Sequence, residues 1–122
     1  MNILVTGGLG YLGSHAVVEL IQQNYGVVIL DNLSNSHKKN LKRIEKITCK
    51  KIKFYKEDIR HKSMLHKIFK DNNIKGIMHF AGLKSVKKSN SHRKEYFDVN
   101  VNGTRNLINV LDEIDTDEKF FI

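Results

Sequence analysis

The chain has 122 residues, 40% of them hydrophobic, which suits one domain with one core and is too short for a cofactor domain plus a separate substrate domain. Its single cysteine, Cys49, excludes an internal disulfide framework and fits a reducing compartment. The net charge of +8 is concentrated: residues 36–94 hold 19 of the 21 Lys/Arg and only four acids, Glu45, Glu57, Asp58 and Asp71. These cations fall mainly on helix faces and turns, so they read as solvated surface rather than a nucleic-acid footprint, and their field would favour an anionic cofactor or nucleotide.

Met1 leads straight into Ile3-Leu4-Val5 with no basic segment and long apolar stretch of the secretory kind, and no apolar run approaches the ~18 residues of a bilayer span. A cytoplasmic protein with neither a membrane nor a nucleic-acid partner is expected.

In chain order, Asn2–Thr6 reads as a buried strand, Gly7–Gly13 as a glycine-rich turn, and Tyr11–Gln23 as a helix with Leu12, Ala16, Val17, Leu20 and Ile21 on one stripe. Asn24 and Gly26 stop that helix, and Val27–Leu30 forms a second strand ending at Asp31. The polar loop Asn32-Leu33-Ser34-Asn35-Ser36 follows, with Ser36 as the expected N-cap of a short helix carrying Leu41, Ile44 and Ile47. Ile52–Tyr55 is the third strand, and His61–Lys70 a helix with Met64, Leu65, Ile68 and Phe69 inward, closed by Asn72-Asn73. Ile77–Phe80 is the fourth strand, and a long helix from about Glu95 to Ile114 turns Tyr96, Val99, Leu107, Val110 and Leu111 inward. Phe120-Phe121-Ile122 reads as a fifth strand. Strict alternation of strands and helices with right-handed crossovers predicts an α/β fold, a doubly wound parallel (Rossmann) sheet of order 3-2-1-4-5, truncated after its fifth strand.

The strongest local signal is Gly7-Gly8-Leu9-Gly10-Tyr11-Leu12-Gly13, which satisfies G-x-G-x-x-G from Gly8 and G-x-x-G-x-x-G from Gly7. Either frame supplies a glycine for the tight turn, one that lets a pyrophosphate touch backbone, and one for close helix–strand packing. Free N–H groups at the helix start then meet the negative charge. A glycine triplet alone is a weak signal, but here a strand precedes it, a helix follows, and the next strand ends in an acid. Asp31 lies 18 residues after Gly13, near the ~20-residue offset of a ribose-binding carboxylate. A carboxylate there accepts the ribose hydroxyls and repels a 2′-phosphate, so NAD is expected over NADP. Asp58, after the third strand, is either an acceptor for the adenine amine or a helix cap.

With these segments placed, the chain resembles the extended short-chain dehydrogenase/reductase family, and within it the branch that epimerises UDP-hexoses at C4. The resemblance spans all 122 residues and rests on Val5–His15, Asp31–Ser36, Asp58-Ile59-Arg60, His79-Phe80-Ala81-Gly82-Leu83-Lys84-Ser85-Val86 and Tyr96–Thr104. It implies tightly held NAD as a transient hydride store: hydride leaves C4 of the UDP-hexose, a 4-keto sugar forms and turns over, and hydride returns on the other face, interconverting UDP-glucose and UDP-galactose. It further implies a cofactor contact from Gly7, Gly10 and Gly13, Tyr11 and Leu12 beside the pyrophosphate, and Asp31 on the adenosine ribose. Asn32, Leu33, Ser34, Asn35 and Ser36 would line the adenosine side, and Asp58 and Ile59 would reach the adenine. Phe80, Ala81, Gly82, Leu83 and Lys84 would run along the cofactor, Lys84 towards the nicotinamide ribose, with Asn100 near the reacting centre. A UDP-sugar substrate and a homodimer are implied for the full-length enzyme. Two positions depart from the pattern: Glu57, where glycine is common, and Lys87-Lys88, where smaller residues are usual.

The chemistry needs a general base on the 4-hydroxyl, which in this family is a tyrosine with lysine four residues later. Tyr11, Tyr25, Tyr55 and Tyr96 are followed at that distance by His15, Ile29, Ile59 and Asn100. The six histidines form no metal-ligand pattern, and Cys49 has no paired histidine. No catalytic residue and no metal site are therefore assigned, and residues 1–122 are expected to be the N-terminal portion of the cofactor domain, without a substrate domain and inactive alone. The alternatives are another nucleotide-sugar enzyme of the family, such as a 4,6-dehydratase, or a non-catalytic NAD-binding module.

Overall fold

The computed structural model describes residues 1–83 and 90–122. Five apolar segments pair in parallel in the order β3-β2-β1-β4-β5, as expected. β1 (Asn2–Thr6) is central, β2 (Gly26–Leu30) and β3 (Lys53–Tyr55) lie to one side, and β4 (Ile74–His79) and β5 (Phe120–Phe121) to the other. Neighbouring residues of a strand face opposite sides of the sheet, so Ile3, Val5 and Ile29 enter one core while Leu4, Val28 and Leu30 enter another. Both faces are covered, which is why these strands read as unbroken apolar runs.

α1 (Tyr11–Gln22) and α2 (Lys39–Thr48) close the first core with Val17, Ile21 and Ile44. α3 (Lys62–Asn72) and α5 (Thr104–Asp112) close the second with Leu65, Ile68, Phe69, Leu107, Val110 and Leu111. Among the described residues no helix is long and apolar enough to cross a membrane.

The structure departs from the sequence reading in several places: Leu12 and Ile47, expected on the apolar stripes of their helices, are exposed, and three further departures concern the elements themselves. β4 starts at Ile74 rather than Ile77, because Asn73 takes the left-handed conformation (φ 50°) and delivers the chain directly to the sheet. Lys75 and Gly76 interrupt the apolar pattern there; Gly76 is required because the Phe120 ring lies where its Cβ would stand. Ser36 does not cap α2, whose preceding residue Lys38 makes no side-chain cap; the Ser36 hydroxyl is drawn instead to Asp31. The helix expected from Glu95 to Ile114 is composite: α4 (Arg93–Phe97), a π-helical turn (Asp98–Gly103), then α5. Within it the Thr104 hydroxyl donates to the Asn100 carbonyl at 2.7 Å, a side-chain bond to backbone of the kind that distorts helices.

Candidate functional site

β1 and β4 are neighbours whose following segments leave towards opposite faces of the sheet, and a cleft of about 480 Å³ opens at their C-terminal ends. In open α/β sheets this switch point is where ligands bind. Its floor is the glycine turn. Gly7 has φ +67° and donates its N–H to the Leu30 carbonyl at 2.8 Å. A Cβ on Gly7 would stand 2.7 Å from the Ala81 nitrogen, and one on Gly13 would overlap the Gly7 carbonyl oxygen. A Cβ on Gly8 would instead meet the Ile29 side chain at 2.9 Å, on the side facing the sheet, and Gly8 does not line the cleft. Of the two frames the sequence allowed, Gly7-x-x-Gly10-x-x-Gly13 is the one that borders the cleft. Gly10 precedes α1 with no side-chain cap, so the N–H groups of the first turn face the opening as an anion site.

Asp31 braces this turn. It is 6% exposed and accepts the Leu9 N–H on Oδ2 (3.1 Å), and the Leu33 N–H (2.9 Å) and Ser36 hydroxyl (2.8 Å) on Oδ1. Asn40 donates to the Leu9 carbonyl at 2.9 Å, so Leu9 is held on both sides of its backbone. A carboxylate offers about four acceptor positions; Asp31 has committed three and keeps one. Leu33 serves this brace with its backbone at φ 62° and packs its side chain against the first core, so it does not line the cleft.

Across the cleft, the loop after β3 is built around Arg60. Its Nη2 lies 2.8 Å from Asp58 Oδ2, its Nε donates to Oδ1 at 3.0 Å, and its backbone N–H reaches Oδ1 at 2.9 Å. The side-chain hydrogen bond to Arg60 holds the Asp58 carboxyl down at about 2, against the ordinary 3.8. The same bond raises the Arg60 guanidinium above its usual value. Asp58 is thus no helix cap: α3 begins after His61, and the carboxylate is spent on Arg60. Glu57 accepts the Asp58 N–H at 3.3 Å and pairs with His61 Nδ1 at 3.1 Å, which turns its charge back onto its own loop. Ile59, 3% exposed, packs against Gly103, where a Cβ would come within 2.5 Å of its Cδ1.

The wall beyond β4 is fixed by a chain of hydrogen bonds. Thr104 gives its only hydroxyl proton to the Asn100 carbonyl, so at 2.9 Å it accepts from His79 Nε2. His79 Nδ1 is then the acceptor for the Thr6 hydroxyl at 2.6 Å, and Thr6 Oγ1 receives the Ala81 N–H at 3.3 Å. For a neutral His79 this bonding pattern selects the Nε2–H tautomer. The Asn100 amide clamps the Leu83 backbone, accepting its N–H at 2.8 Å and donating to its carbonyl at 2.9 Å.

The sequence-derived residues thus converge. Gly7, Gly10, Tyr11, Leu12, Gly13, Asp31, Asn32, Ser34, Asn35, Ser36, Asp58, Ile59, Phe80, Ala81, Gly82 and Leu83 border one cleft. Asn100 supports the wall through Leu83 rather than lining it, and Lys84 lies outside the described residues. Leu30, Glu57 and Val99 also line the cleft and were not expected to. Val99 has a core residue's pattern and belongs to the second core as well as to the cleft wall. Tyr11, 81% exposed, stands at the rim with its ring 5.1 Å from that of His15; Tyr25, Tyr55 and Tyr96 are not in the lining. Among the described residues no group of three or more His, Cys, Asp or Glu could hold a metal ion.

Residues 4–122 match the family model described as GDP-mannose 4,6 dehydratase. A UDP-glucose 4-epimerase of Dictyostelium discoideum is 49% identical over 112 residues, covering 92% of this chain and 33% of that protein. One from Pasteurella multocida is 53% identical over 108 residues, covering 88% of the chain and 32% of that protein. Among solved structures, the Stenotrophomonas maltophila UDP-glucose 4-epimerase with bound NAD and formylated UDP-arabinopyranose superposes with a TM-score of 0.89 at 44% identity, over 92% of this chain and 33% of that one. The Bifidobacterium longum enzyme in complex with NAD+ and UDP gives 0.89 at 39% identity, over 93% and 34%. The chain spans about a third of the length of the curated relatives it matches.

Proposed function

The chain belongs to the family described as GDP-mannose 4,6 dehydratase, within the extended short-chain dehydrogenase/reductases, and from that premise we propose that it is the NAD-binding portion of a UDP-glucose 4-epimerase. The relatives at 49% and 53% identity favour the epimerase, while the family model's description alone favours a 4,6-dehydratase as the second reading. In this proposal residues 1–122 form the cofactor side of an enzyme that interconverts UDP-glucose and UDP-galactose in galactose metabolism. The UDP-sugar is its substrate, the complete enzyme is a cytoplasmic homodimer, and neither nucleic acid nor membrane is a partner.

The observation that carries the reading is the Asp31-braced glycine turn at the β1/β4 switch point. NAD fits it: Gly7 and Gly13 let the turn fold tightly against Ala81 and onto itself where a Cβ would clash with backbone, and an uncapped helix start faces the opening. When bound, the nicotinamide supplies a hydride acceptor and donor for C4 of the hexose. Gly7, Gly10 and the start of α1 bind the pyrophosphate. Asp31 takes one ribose hydroxyl at its remaining acceptor position and the second when Ser36 turns its hydroxyl aside. Asn32, Ser34 and Asn35 border the adenosine, and Phe80 to Leu83, with Leu83 held by Asn100, run along the rest of the cofactor. No tyrosine of the chain has a lysine four residues on, so the general base for the 4-hydroxyl is not among these residues.

Calorimetric titration of the purified chain with NAD and with NADP tests the reading. Saturable NAD binding with at least about tenfold weaker NADP binding is expected, the loss that follows when a charged acceptor is confronted by a phosphate. No epimerisation of UDP-galactose by the chain alone should accompany it. A folded chain that binds neither dinucleotide overturns the proposal.

A further inference from the structure

Asp58 borders the nucleoside end of the cleft with a carboxylate whose acceptor positions are almost all taken. Arg60 fills three of them: Nε and its own backbone N–H on Oδ1, and Nη2 on Oδ2. The fourth, on Oδ2, is approached only loosely by the Asn32 amide at 3.5 Å, from the loop on the opposite side of the opening. That contact is too long to be a strong bond, so a better donor entering the cleft would displace it.

Arg60 is itself held. Nη1 lies 3.3 Å from Asp98 Oδ2 at the start of the π-helical turn, and the Asn106 amide donates to the Ile59 and Arg60 carbonyls at 3.2 and 3.3 Å. Ile59 is locked over Gly103. Side chain and backbone of the loop are therefore anchored independently to one helical run, and the carboxylate is presented in a single orientation.

We propose that Arg60 is a specificity-determining residue for the purine base, fixing Asp58 so that its one open acceptor position selects a 6-amino purine over a 6-oxo purine. The inference rests on the reading that the cleft holds an adenine dinucleotide, and it adds how the base is chosen. An exocyclic amine donates to the open position in place of Asn32. A 6-oxo group sets a carbonyl oxygen against an ionised carboxylate that Arg60 prevents from turning away. With Arg60 removed, the carboxylate rotates freely, is hydrated, and neither rewards the amine nor penalises the carbonyl. Arg60 touches Asp58 rather than the base, so it is a positioning residue and must be recognised by a ratio rather than by an affinity.

The experiment is calorimetric titration of the chain, and of its Arg60→Gln and Arg60→Lys variants, with NAD and with nicotinamide hypoxanthine dinucleotide, which carries the 6-oxo base. The unsubstituted chain should prefer NAD by about tenfold or more, the discrimination expected of one hydrogen bond to a charged acceptor. Arg60→Gln should bring that ratio to within about twofold, and Arg60→Lys, which keeps the charge but not the fork, to an intermediate value. Far-ultraviolet circular dichroism establishes that each variant is folded, and the lysine variant preserves the test should the glutamine one fail to fold. If both dinucleotides weaken equally and the ratio persists, Arg60 only props the loop and the inference is overturned while the cofactor reading stands. Binding of NAD without preference by the unsubstituted chain also overturns the inference alone, whereas binding of neither dinucleotide removes the cofactor reading and this inference with it.

Discussion

Replacing Asp31 should destabilise the protein before any ligand is considered, and the amount follows from its three bonds. In Asp31→Ala the Leu9 N–H loses its acceptor inside a residue that is 0% exposed. An unsatisfied buried donor costs about 1–3 kcal/mol. The Leu33 N–H and the Ser36 hydroxyl are only partly buried and recover hydration, so each adds at most about 1 kcal/mol. The sum, about 1–5 kcal/mol, is a large share of the ~5–15 kcal/mol that holds a typical domain together. Asp31→Asn keeps the shape and one acceptor oxygen. With that oxygen towards Leu9, its amide faces the Leu33 N–H and the Ser36 hydroxyl, and only the serine can rotate to accept from it. One donor is then left opposed, for about 1–2 kcal/mol.

Urea unfolding measures both variants, with the midpoint reporting stability and the slope checking that the unfolding transition is the same one. The expected order is wild type above Asn above Ala. An alanine variant within about 0.5 kcal/mol of the wild type, the range of an ordinary surface substitution, would refute the claim that Asp31 braces the glycine turn. The ranking also decides how ligand selectivity is tested. In the alanine variant weak NAD binding would report a loosened turn as much as a lost ribose contact. The asparagine variant, with the turn still braced, is the one in which relief of discrimination against NADP reads out the carboxylate's charge.

Two further expectations separate the glycines and the ion pair. Gly13→Ala places a Cβ on the Gly7 carbonyl and should cost about 1–3 kcal/mol, lowering the melting temperature by at least about 5 °C. Gly10→Ala meets only the Gly7 oxygen, at 3.3 Å, and should melt near the wild type while binding NAD poorly; the reverse pattern would contradict the assignment of Gly10 to the phosphate. For Asp58, the folded carboxyl lies at about 2 against 3.8, so its pairing stabilises the fold above about pH 4 and that contribution is lost as pH falls towards 2. The pair is partly exposed and screened by salt. Urea midpoints followed from pH 5 to 2 should therefore fall less steeply in Arg60→Gln than in the wild type at low ionic strength, and parallel curves would show that the pair contributes nothing.

The sheet order was legible because β1 and β2 carry unbroken apolar runs, the second half of β4 a shorter one (Ile77-Met78), and the intervening helices a 3.6-residue stripe, and these patterns admit one economical assembly. The start of β4 was not, since Lys75 falls at an irregularity of the pairing, where Asn2 matches Ile74 and Ile3 matches Gly76, and Gly76 makes room for Phe120. The glycine turn announced itself by spacing, but which frame borders the cleft depended on whether Gly8 or Gly7 packs on Ile29, a contact 21 residues away in sequence. Ser36 looked like a cap because a serine before an apolar stripe does so locally; a buried carboxylate five residues earlier outcompeted the helix for its proton. Arg60 was visible as part of Asp58-Ile59-Arg60, and a guanidinium two residues from a carboxylate is a signal for a fork. Its second partner, Asp98, lies 38 residues on and was beyond any local pattern.

The π-helical turn is where these long-range partners meet. Asp98 anchors Arg60 at one end of the cleft, Val99 forms part of its wall, and Asn100 clamps Leu83 at the other end, three consecutive residues with three separate tasks. Four residues later Thr104 fixes His79, and α5 then buries Leu107, Val110 and Leu111 against the sheet. An α-helix advances about 100° per residue, so closing the wide turn by one residue would rotate everything beyond it by that angle. Either the three core side chains would leave the sheet, or Asp98 and Asn100 would leave their partners. A helix with regular geometry could satisfy the core or the cleft; the extra residue in the turn lets one element serve both, consistent with the general placement of such turns at functional sites.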